Sequence, residues 1–276
     1  MIASMRRDIV KKTEVVMCAE QSFRLGYSTI TWGPTPDLDR VFGTIADAGW
    51  EGVEFISVAL DWLGTPKRLR GLLDAHQLAP VCLFGSVSLG DDAEQVLERQ
   101  RRIIEYASEL GAPHYCFLGG NRVALRLPDD DEFKRLAEQA EILIDYAEPL
   151  GVAVSYHAHP RCTVESEEEQ DKLLAYTERL KICMDVSVAA FMQEDAVAQI
   201  RKYADRIGYA HMKDWTNGKF CPMGKGTAGL DFAAIREAFA EIGYTGWIMG
   251  EMSSYADFDA EESCKYNLEY LRSLGY

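Results

Sequence analysis

Residues 207–214 read Ile-Gly-Tyr-Ala-His-Met-Lys-Asp, an apolar run that is typical of a buried β-strand and that finishes on polar, chemically active side chains. Three further runs have the same form: Val-Ala-Val-Ser-Tyr-His at 152–157, Leu-Lys-Ile-Cys-Met-Asp at 180–185 and Gly-Trp-Ile-Met-Gly-Glu at 246–251. Each run carries, at or near its end, a side chain that can donate a lone pair to a metal ion: His157, Asp185, His211 or Glu251. Because the carboxyl ends of the strands in a closed parallel sheet meet on one face, we expect these four side chains to form one site.

Strand-like and helix-like patterns alternate along the chain from about Leu25 onward, which predicts a parallel sheet. Candidate strands begin near eight positions: Leu25, Glu51, Leu78, Pro113, Val152, Leu180, Ile207 and Gly246. Candidate helices at 92–110, 130–150 and 231–242 are each followed by glycine, which permits the left-handed turn that often ends a helix. Eight strand and helix repeats favour an α/β fold, a single (β/α)8 TIM barrel.

An open, doubly wound α/β sheet is the alternative to the barrel. Such sheets usually carry a Gly-x-Gly-x-x-Gly turn after the first strand, and residues 28–34 (Ser-Thr-Ile-Thr-Trp-Gly-Pro) have none. At 276 residues and 47% hydrophobic content, the chain can bury one large core. We therefore predict one barrel domain over residues 25–276. Residues 1–24 do not follow the strand and helix pattern. They form a flexible arm or a short helix across the bottom of the barrel, or in part they precede the true start of translation, with Met17 as an alternative initiator.

The charge balance disfavours two classes of partner. The chain has 29 Lys and Arg residues against 44 Asp and Glu residues, a net charge of −15, which opposes binding to nucleic acid or to an anionic membrane surface. We find no run of about 18 apolar residues that would span a membrane, and we expect a cytoplasmic protein. The seven cysteines lack Cys-x-x-Cys spacing and are interpreted as buried, reduced thiols, with Cys221 in a glycine-rich loop as the one to watch.

The predicted ligand set also limits the choice of metal. Two imidazoles and two carboxylates form a mixed nitrogen and oxygen set, which suits Mn²⁺, Co²⁺, Fe²⁺ or Zn²⁺ better than Ca²⁺ or Mg²⁺. A single histidine or aspartate at a strand end is more often structural, but four of them in successive repeats favour a site. We predict a divalent metal site with Mn²⁺ as the first choice.

At these residues the chain resembles the xylose isomerase-like TIM barrels, the superfamily of sugar phosphate isomerases and epimerases, with the inosose dehydratases most similar in motif. The motifs that carry the resemblance are Tyr156-His157-Ala-His159-Pro, His211-Met-Lys213-Asp214, Gly224-Lys-Gly226 with Leu230-Asp231-Phe232, and Gly243-Tyr-Thr-Gly246-Trp with Glu251. The resemblance covers nearly the whole chain after Leu25. Its motifs are specific to the superfamily but not to one substrate.

The resemblance implies roles for particular residues. His157, Asp185, His211 and Glu251 take the metal-ligand positions, with Glu251, His157 and Lys213 expected to take part in catalysis. The residues expected to bind substrate are His159, Trp32, Glu54 and Lys225. Each has an ordinary structural interpretation beside it: Trp32 as packing, Glu54 as one half of an ion pair and Lys225 as a solvated charge. Lys213 lies close enough to the expected metal to stabilise oxyanion charge or to protonate a leaving hydroxyl.

Two positions depart from the family pattern. Inosose dehydratases and keto-sugar epimerases usually continue the sixth strand as Asp-x-x-His, whereas here Val188 follows Asp185 at that spacing. This change predicts a more apolar pocket and allows a substrate that carries a ring or an aglycone. The epimerases also have two acidic groups on opposite faces of the substrate, and here one of them is His157.

The second of these departures, with His159 and Lys213 available as acids, favours elimination over two-base epimerisation. A metal bound to a ketone and its neighbouring hydroxyl acidifies the adjacent C–H, so that a base can form an enediolate, which then expels a β-hydroxyl. We therefore predict a metal-dependent lyase of the inosose dehydratase type that acts on a keto-cyclitol or keto-sugar, a small carbohydrate substrate. A sugar isomerase or epimerase and an enzyme that cleaves 3-keto-glycosides are the nearest alternatives.

Two other classes fit the sequence less well. An AP-endonuclease-like nuclease would need a basic groove and more metal ligands than five histidines allow. A metal-free sugar-binding subunit would bind no metal after repletion. By family analogy we expect a homo-oligomer.

Overall fold

A computed structural model describes residues 23–35, 37–56, 60–120, 122, 126–252 and 258–276. Nearly all of the predicted N-terminal arm, with Met17 and Cys18, lies outside the described residues. Within them, eight parallel strands form a closed barrel, so the predicted (β/α)8 fold is confirmed and the open sheet is excluded. Each observed strand begins within one residue of its predicted start.

The strands follow the chain around the barrel in order, except that a short hairpin is inserted before the last barrel strand. The barrel strands are β1 (Arg24–Ser28), β2 (Gly52–Ile56), β3 (Ala79–Val87), β4 (His114–Gly119), β5 (Ala153–His157), β6 (Lys181–Asp185), β7 (Ile207–Met212) and β10 (Trp247–Gly250). The antiparallel hairpin consists of β8 (Asp214–Thr216) and β9 (Lys219–Cys221). Strands β1 and β10 pair in parallel and close the barrel.

Helices between the strands cover the outside of the barrel. They are α1 (Leu38–Ala48), α2 (Leu60–Leu63), α3 (Pro66–Ala75), α4 (Ala93–Leu110), α5 (Asp130–Ala147), α6 (Glu167–Leu174), α7 (Val186–Phe191), α8 (Ala196–Lys202), α9 (Phe232–Glu241) and α10 (Ala260–Ser273). Short 3₁₀ turns span Thr29–Trp32 and Glu148–Leu150. In the described part of the chain, no helix combines the length and the apolar composition needed to cross a bilayer.

Aspartate caps begin two of these helices, and glycines mark the three predicted helix ends. The carboxylates of Asp129 and Asp231 accept hydrogen bonds from backbone amides in the first turns of α5 and α9, which stabilises those helix starts. The predicted terminal glycines, Gly111, Gly151 and Gly243, have φ angles of 82°, 72° and 67°. These left-handed conformations favour glycine, and they turn the chain into the next strand.

The first strand is shorter than its predicted range of Leu25–Trp32. Strand β1 ends at Ser28, whose side-chain oxygen accepts a hydrogen bond from the backbone of Ile30 and so begins a 3₁₀ turn. Trp32 therefore lies at the end of this turn and not at the end of a strand. Because serine competes locally for backbone hydrogen bonds, a continuous apolar pattern can be interrupted in this way.

The barrel interior contains three of the cysteines. Cys82, Cys116 and Cys183 lie in one apolar cluster with Tyr209 and Trp247. All six cysteines among the described residues, Cys221 included, are free and buried, as predicted. The lower barrel is thus a packed core, and the polar side chains lie above it at the strand ends.

Candidate active site

The carboxyl ends of five barrel strands bring together the polar side chains that the sequence singled out. Glu54 comes from β2, His157 from β5, Asp185 from β6 and His211 from β7, and Glu251 directly follows β10. Lys213 follows β7 by one residue, and all six side chains are buried. Strand pairing places Asp185 directly beside His211. The four predicted metal ligands therefore share one buried centre with Lys213 and Glu54.

Contacts join these side chains into a continuous chain. His157 Nε2 lies 3.2 Å from Asp185 Oδ2, and Lys213 Nζ lies 2.7 Å from the same oxygen. The ammonium of Lys213 also contacts Glu251. Glu251 Oε2 in turn lies 3.4 Å from His211 Nδ1. Lys213 thus bridges two carboxylates, each of which also faces an imidazole.

Glu54 is attached to the far side of His211. Its Oε2 lies 2.7 Å from His211 Nε2, and both side chains are almost fully buried. Burial alone would raise the pKa of Glu54, but the adjacent His211 outweighs burial and lowers it. Burial alone would lower the pKa of His211, but nearby Cys183, Glu54 and Glu251 raise it to about 10. The Glu54 carboxylate therefore pairs with the imidazole of His211, and Glu54 also lines the cavity that opens from this centre.

Asp185 is oriented by the start of the next helix. Its Oδ1 accepts hydrogen bonds from the backbone amides of Ser187 (2.8 Å) and Val188 (3.3 Å) and from the Ser187 hydroxyl (2.6 Å). The second carboxylate oxygen, Oδ2, faces His157 and Lys213 in the site. Burial would raise the pKa of Asp185, but Lys213 and His157 hold it well below the usual value. The N-cap interaction thus fixes an ionised carboxylate toward the centre.

Lys213 and Asp214 serve different parts of the structure. Burial opposes the charge of Lys213, but Asp185 and Glu251 raise its pKa above the ordinary lysine value, so it stays an ammonium. The carboxylate of Asp214 accepts hydrogen bonds from the backbone amides of Gly224 and Gly226, both at 3.0 Å. A Cβ atom on Gly226 would lie 2.0 Å from Asp214 Oδ1, so this position requires glycine. The aromatic ring of Phe220, in the same loop, lies 5.2 Å from the Lys213 ammonium.

The donor set fits a divalent metal ion. Ligand atoms of Glu54, His211 and Glu251 all lie within 4.8 Å of one another, and so do those of His157, Cys183 and His211. The Nδ1 atoms of both histidines are buried and make no hydrogen bond with any described residue. Imidazole and carboxylate are ligands that suit first-row divalent metals, so these residues can hold such an ion. Asp185, the remaining predicted ligand, is in neither group but lies 3.2 Å from His157. The sequence did not single out Cys183, because it reads there as one more apolar residue.

A cavity of about 230 Å³ opens from this centre. Its polar end is formed by Glu54, His157, His159, His211, Lys213 and Glu251. The remaining lining residues come from β2, β3 and β4, the 3₁₀ turn after β1 and helix α4: Ile30, Ile56, Phe84, Gly85, Ser86, Arg99, Gln100, Ile103 and Leu118. The cavity therefore has a charged inner end and a largely apolar wall.

His159 faces this cavity, as the prediction of a substrate contact requires. Its Nδ1 lies 2.9 Å from the backbone carbonyl oxygen of Pro160. A carbonyl only accepts hydrogen bonds, so Nδ1 carries the proton and Nε2 of the neutral ring is an acceptor. Burial, together with His157 and Lys213, lowers the pKa of His159 to about 4. His159 is thus suited to accept a hydrogen bond from a substrate hydroxyl.

Three residues expected at the pocket are not among those that line it. The Trp32 ring packs edge-on against Tyr27, with ring centroids 5.9 Å apart. The Lys225 ammonium lies 4.0 Å from the ring centre of Tyr266. Val188 lines a small separate cavity behind Asp185. The apolar character that Val188 predicted is present, but it comes from residues on the opposite side of the barrel.

Two residues that the sequence did not single out also line the cavity. Phe84 packs against both histidines, with ring centroids 5.4 Å from His157 and 5.8 Å from His211. Arg99 reaches the cavity from helix α4. In sequence, Phe84 reads as part of a buried strand and Arg99 as an ordinary charge on a helix surface. Neither pattern indicates which residues face the cavity.

Comparison with known proteins agrees with this geometry. The sequence profile of the xylose isomerase-like TIM barrels matches residues 42–274. An inosose dehydratase from Lacticaseibacillus casei is 32% identical, covering 83% of this chain and 89% of that protein. Another, from Geobacillus kaustophilus, is 26% identical, covering 83% and 87%. The chain therefore belongs to the xylose isomerase-like TIM barrel family. Its relatives are enzymes, which confirms the predicted superfamily and its enzymatic nature.

Solved structures share the fold at lower sequence identity. An L-ribulose 3-epimerase superposes with a TM-score of 0.79 at 19% identity, covering 92% of this chain and 96% of that one. The 3-keto-D-glucoside 4-epimerase YcjR of E. coli gives 0.76 at 18%, covering 91% and 100%. The IolI protein, solved with a zinc atom, gives 0.77 at 18%, covering 92% and 98%. At this identity the likeness establishes the barrel fold.

Proposed function

We propose that the protein is a metal-dependent dehydratase that removes water from a keto-cyclitol or keto-sugar, in the manner of its inosose dehydratase relatives. The observation that carries this proposal is the placement of one ammonium, Lys213, between the carboxylates of Asp185 and Glu251 at the inner end of the cavity. A proton acceptor and a proton donor thus lie side by side, where the two ends of an elimination must meet. The sequence relatives support the same reaction class.

A divalent ion held by His157, Asp185, His211 and Glu251 would polarise the ketone and acidify the adjacent C–H. Glu251 is placed to accept the proton from that carbon. Lys213 is placed to donate a proton to the β-hydroxyl as its C–O bond breaks. The electron pair of the C–H bond becomes the new double bond, and the hydroxyl leaves as water. Lys213 and Glu251 already contact each other, so the proton can pass back between them.

The remaining cavity residues position the substrate for this reaction. The free Nε2 of His159 accepts a hydrogen bond from a substrate hydroxyl. The rings of Phe84 and Phe220 cover the imidazoles and the ammonium, which limits access of water to the charged groups. In this proposal Glu54 orients the ring of His211, and Trp32 and Lys225 do not contact the substrate.

An isomerase or epimerase is less favoured by the geometry. Two-base epimerisation needs a second free base across the substrate from Glu251. Among the described lining residues, Glu54 pairs with His211, His157 contacts Asp185, and His159 is assigned above to a hydrogen bond from a substrate hydroxyl. Cleavage of a 3-keto-glycoside is the second candidate, because the apolar wall of Ile30, Ile56, Phe84 and Leu118 suits an aglycone.

Finer assignments belong to the same proposal. We propose Mn²⁺ as the working metal, while the zinc in the IolI structure shows that a related fold accepts another divalent ion. We further propose a cytoplasmic homo-oligomer that binds neither nucleic acid nor membrane, in keeping with the net charge of −15. Metal analysis after repletion with manganese, cobalt, zinc or iron tests the first point.

The experiment that tests the function is turnover of an inosose by metal-loaded protein, followed by formation of the dehydrated product, an enol that tautomerises to a 1,2-diketone. The Glu251→Gln variant should lose about 10²- to 10⁴-fold in kcat, since the base is removed, and should bind metal more weakly. Full turnover by this variant would show that Glu251 is not a catalytic residue. Unchanged metal content would show that Glu251 is not a metal ligand. Epimerisation of free ketohexoses without any turnover of inosose or 3-keto-sugars would overturn the dehydratase assignment.

A further inference from the structure

The outer end of the active-site cavity carries a positive charge that the proposed dehydration does not use. Arg99 lies in the second turn of α4 and contributes to the cavity lining together with Gln100 and Ile103 of the same helix. Arg99 belongs to helix α4, which lies between β3 and β4 in the chain, whereas Lys213 directly follows β7. Lys213 and Arg99 are the two permanently charged cations among the described lining residues.

Arg99 differs from Arg101 and Arg102 in having no polar partner in the described part of the chain. Arg101 pairs with Glu94 and Glu98, and Arg102 lies 3.8 Å from Glu98. Within the described residues, Arg99 makes no hydrogen bond and no ion pair. Arg99 is exposed where it lines the cavity, so its guanidinium donors are available to a ligand.

Gln100, the next residue of the helix, does not hydrogen-bond to Arg99. The side chain of Gln100 is already used: its Oε1 accepts from the Ser86 amide at 3.2 Å and from the Tyr115 hydroxyl at 2.9 Å, and its Nε2 donates to the Val96 carbonyl at 3.0 Å. These bonds fix α4 to the end of β3. The helix that carries Arg99 is therefore held in place against the cavity.

Between the two charged ends the cavity wall is apolar. Ile30, Ile56, Phe84 and Leu118 supply it, and each is partly exposed to the cavity and solvent. Apolar surface of this kind favours a ring or hydrocarbon over the hydroxyl groups of a second sugar. Burial decreases in the same direction: the charged inner residues are buried, these four apolar side chains are half-buried, and Arg99 is exposed.

We infer that the substrate is a keto-sugar joined to an apolar group whose outer end carries a carboxylate, and that Arg99 binds this carboxylate. This inference rests on the proposed function for the inner end of the cavity. A guanidinium matches one carboxylate through two parallel hydrogen bonds, which gives both affinity and orientation. A phosphate dianion would call for more positive charge than one arginine provides.

Binding of two matched glucosides tests the inference without requiring turnover. Phenyl β-D-glucopyranoside and 4-carboxyphenyl β-D-glucopyranoside lack the ketone, so neither undergoes the elimination, and they differ only in the carboxylate. Titration calorimetry on the metal-loaded protein should give about tenfold tighter binding of the carboxylated compound. The advantage should disappear in Arg99→Gln and fall with added salt, while Arg102→Gln, the matched change on the same helix, should keep it.

The outcomes separate this inference from the proposed function. Equal affinities in the unaltered protein, no binding of either glucoside, or a preference that survives Arg99→Gln would each overturn the role of Arg99. Turnover of an inosose alongside any of these results would leave the dehydratase assignment intact. The protein could instead show a carboxylate preference that depends on Arg99 and yet dehydrate no keto-sugar. That result would refute the dehydratase assignment and support the carboxylate-binding role of Arg99.

Discussion

His211 is the residue on which the candidate centre is built. Its Nε2 faces Glu54 at 2.7 Å and its Nδ1 faces Glu251 at 3.4 Å, so one ring connects two strands that lie on either side of β1. Histidines that bind metals usually donate their second ring N–H to a carboxylate, which fixes the tautomer and the direction of the lone pair. Glu54 supplies that carboxylate here.

Replacing Glu54 with Gln should therefore weaken metal binding by about 10- to 100-fold, because the imidazole loses the carboxylate that orients it. Titration of the apo protein with Mn²⁺ or Zn²⁺ measures the effect. Glu51→Gln is the matched control, since Glu51 is exposed one residue before the same strand. Equal metal affinity in the two variants would mean that Glu54 does not position His211.

The two lysines of the sequence motifs should differ sharply in effect. Lys213→Met removes the proposed proton donor and should lower kcat on an inosose by about 10²- to 10⁴-fold. Lys225→Met should leave kcat close to that of the unaltered enzyme, because the Lys225 ammonium packs on Tyr266 and lines no part of the cavity. A large loss of kcat in the Lys225 variant would show that Lys225 does contact the substrate.

Among the elements, the segment from β7 to α9 shows how a short motif fixes a loop. Lys213 turns into the site, and the next residue, Asp214, turns away and holds the backbone of the glycine-rich loop through Gly224 and Gly226. The loop in turn places Phe220 beside the Lys213 ammonium. The sequence pair Lys-Asp therefore supplies one chemical group and one structural anchor.

Removal of that anchor should loosen the loop selectively. In Asp214→Ala the amides of Gly224 and Gly226 lose a charged acceptor, so their hydrogen exchange should accelerate about tenfold or more. Asp231→Ala, which removes the N-cap of the following helix, should cost about 1 kcal/mol of stability but leave these two amides protected. Exchange followed by mass spectrometry or NMR distinguishes the two variants. Equal acceleration in both would indicate that Asp214 acts only through global stability.

The same elements show where pattern-based prediction stops. Strand starts were predicted to within one residue, because each run is apolar and bounded by turn signals. Trp32 was misplaced because the Ser28 cap ends β1 early. Val188 was placed at the pocket by its spacing from Asp185, whereas helix α7 begins at Val186 and carries it behind the site.

The barrel as a whole carries a buried titratable group at the end opposite the site. His114 begins β4, its ring centroid lies 5.3 Å from that of Tyr209, and its Nδ1 is buried without a partner among the described residues. Burial, with a smaller contribution from Arg24, lowers its pKa to about 4. The folded barrel therefore holds this imidazole neutral at pH values where an unfolded chain would protonate it.

This difference predicts acid sensitivity of the fold. Because the unfolded state binds the proton near pH 6.5 and the folded state only near pH 4, His114 destabilises the barrel as pH falls between these values, by at most about 1.4 kcal/mol per pH unit. His114→Gln should remove this contribution. Denaturant unfolding at pH 7.0 and 5.0, with metal absent, should show a smaller loss of stability in the variant. Identical losses would show that His114 titrates alike in both states.

The sequence by itself determined the eight-stranded barrel and the four candidate ligands, because strand periodicity, helix caps and strand-end residues are local signals that the closed sheet then brings to one face. Only the tertiary structure decided that Glu54 holds His211, that Lys213 lies between two carboxylates, and that Arg99 reaches the cavity while Trp32 and Lys225 do not. Those relations join residues far apart in the chain. They depend on the direction of each side chain, which packing sets and local sequence does not.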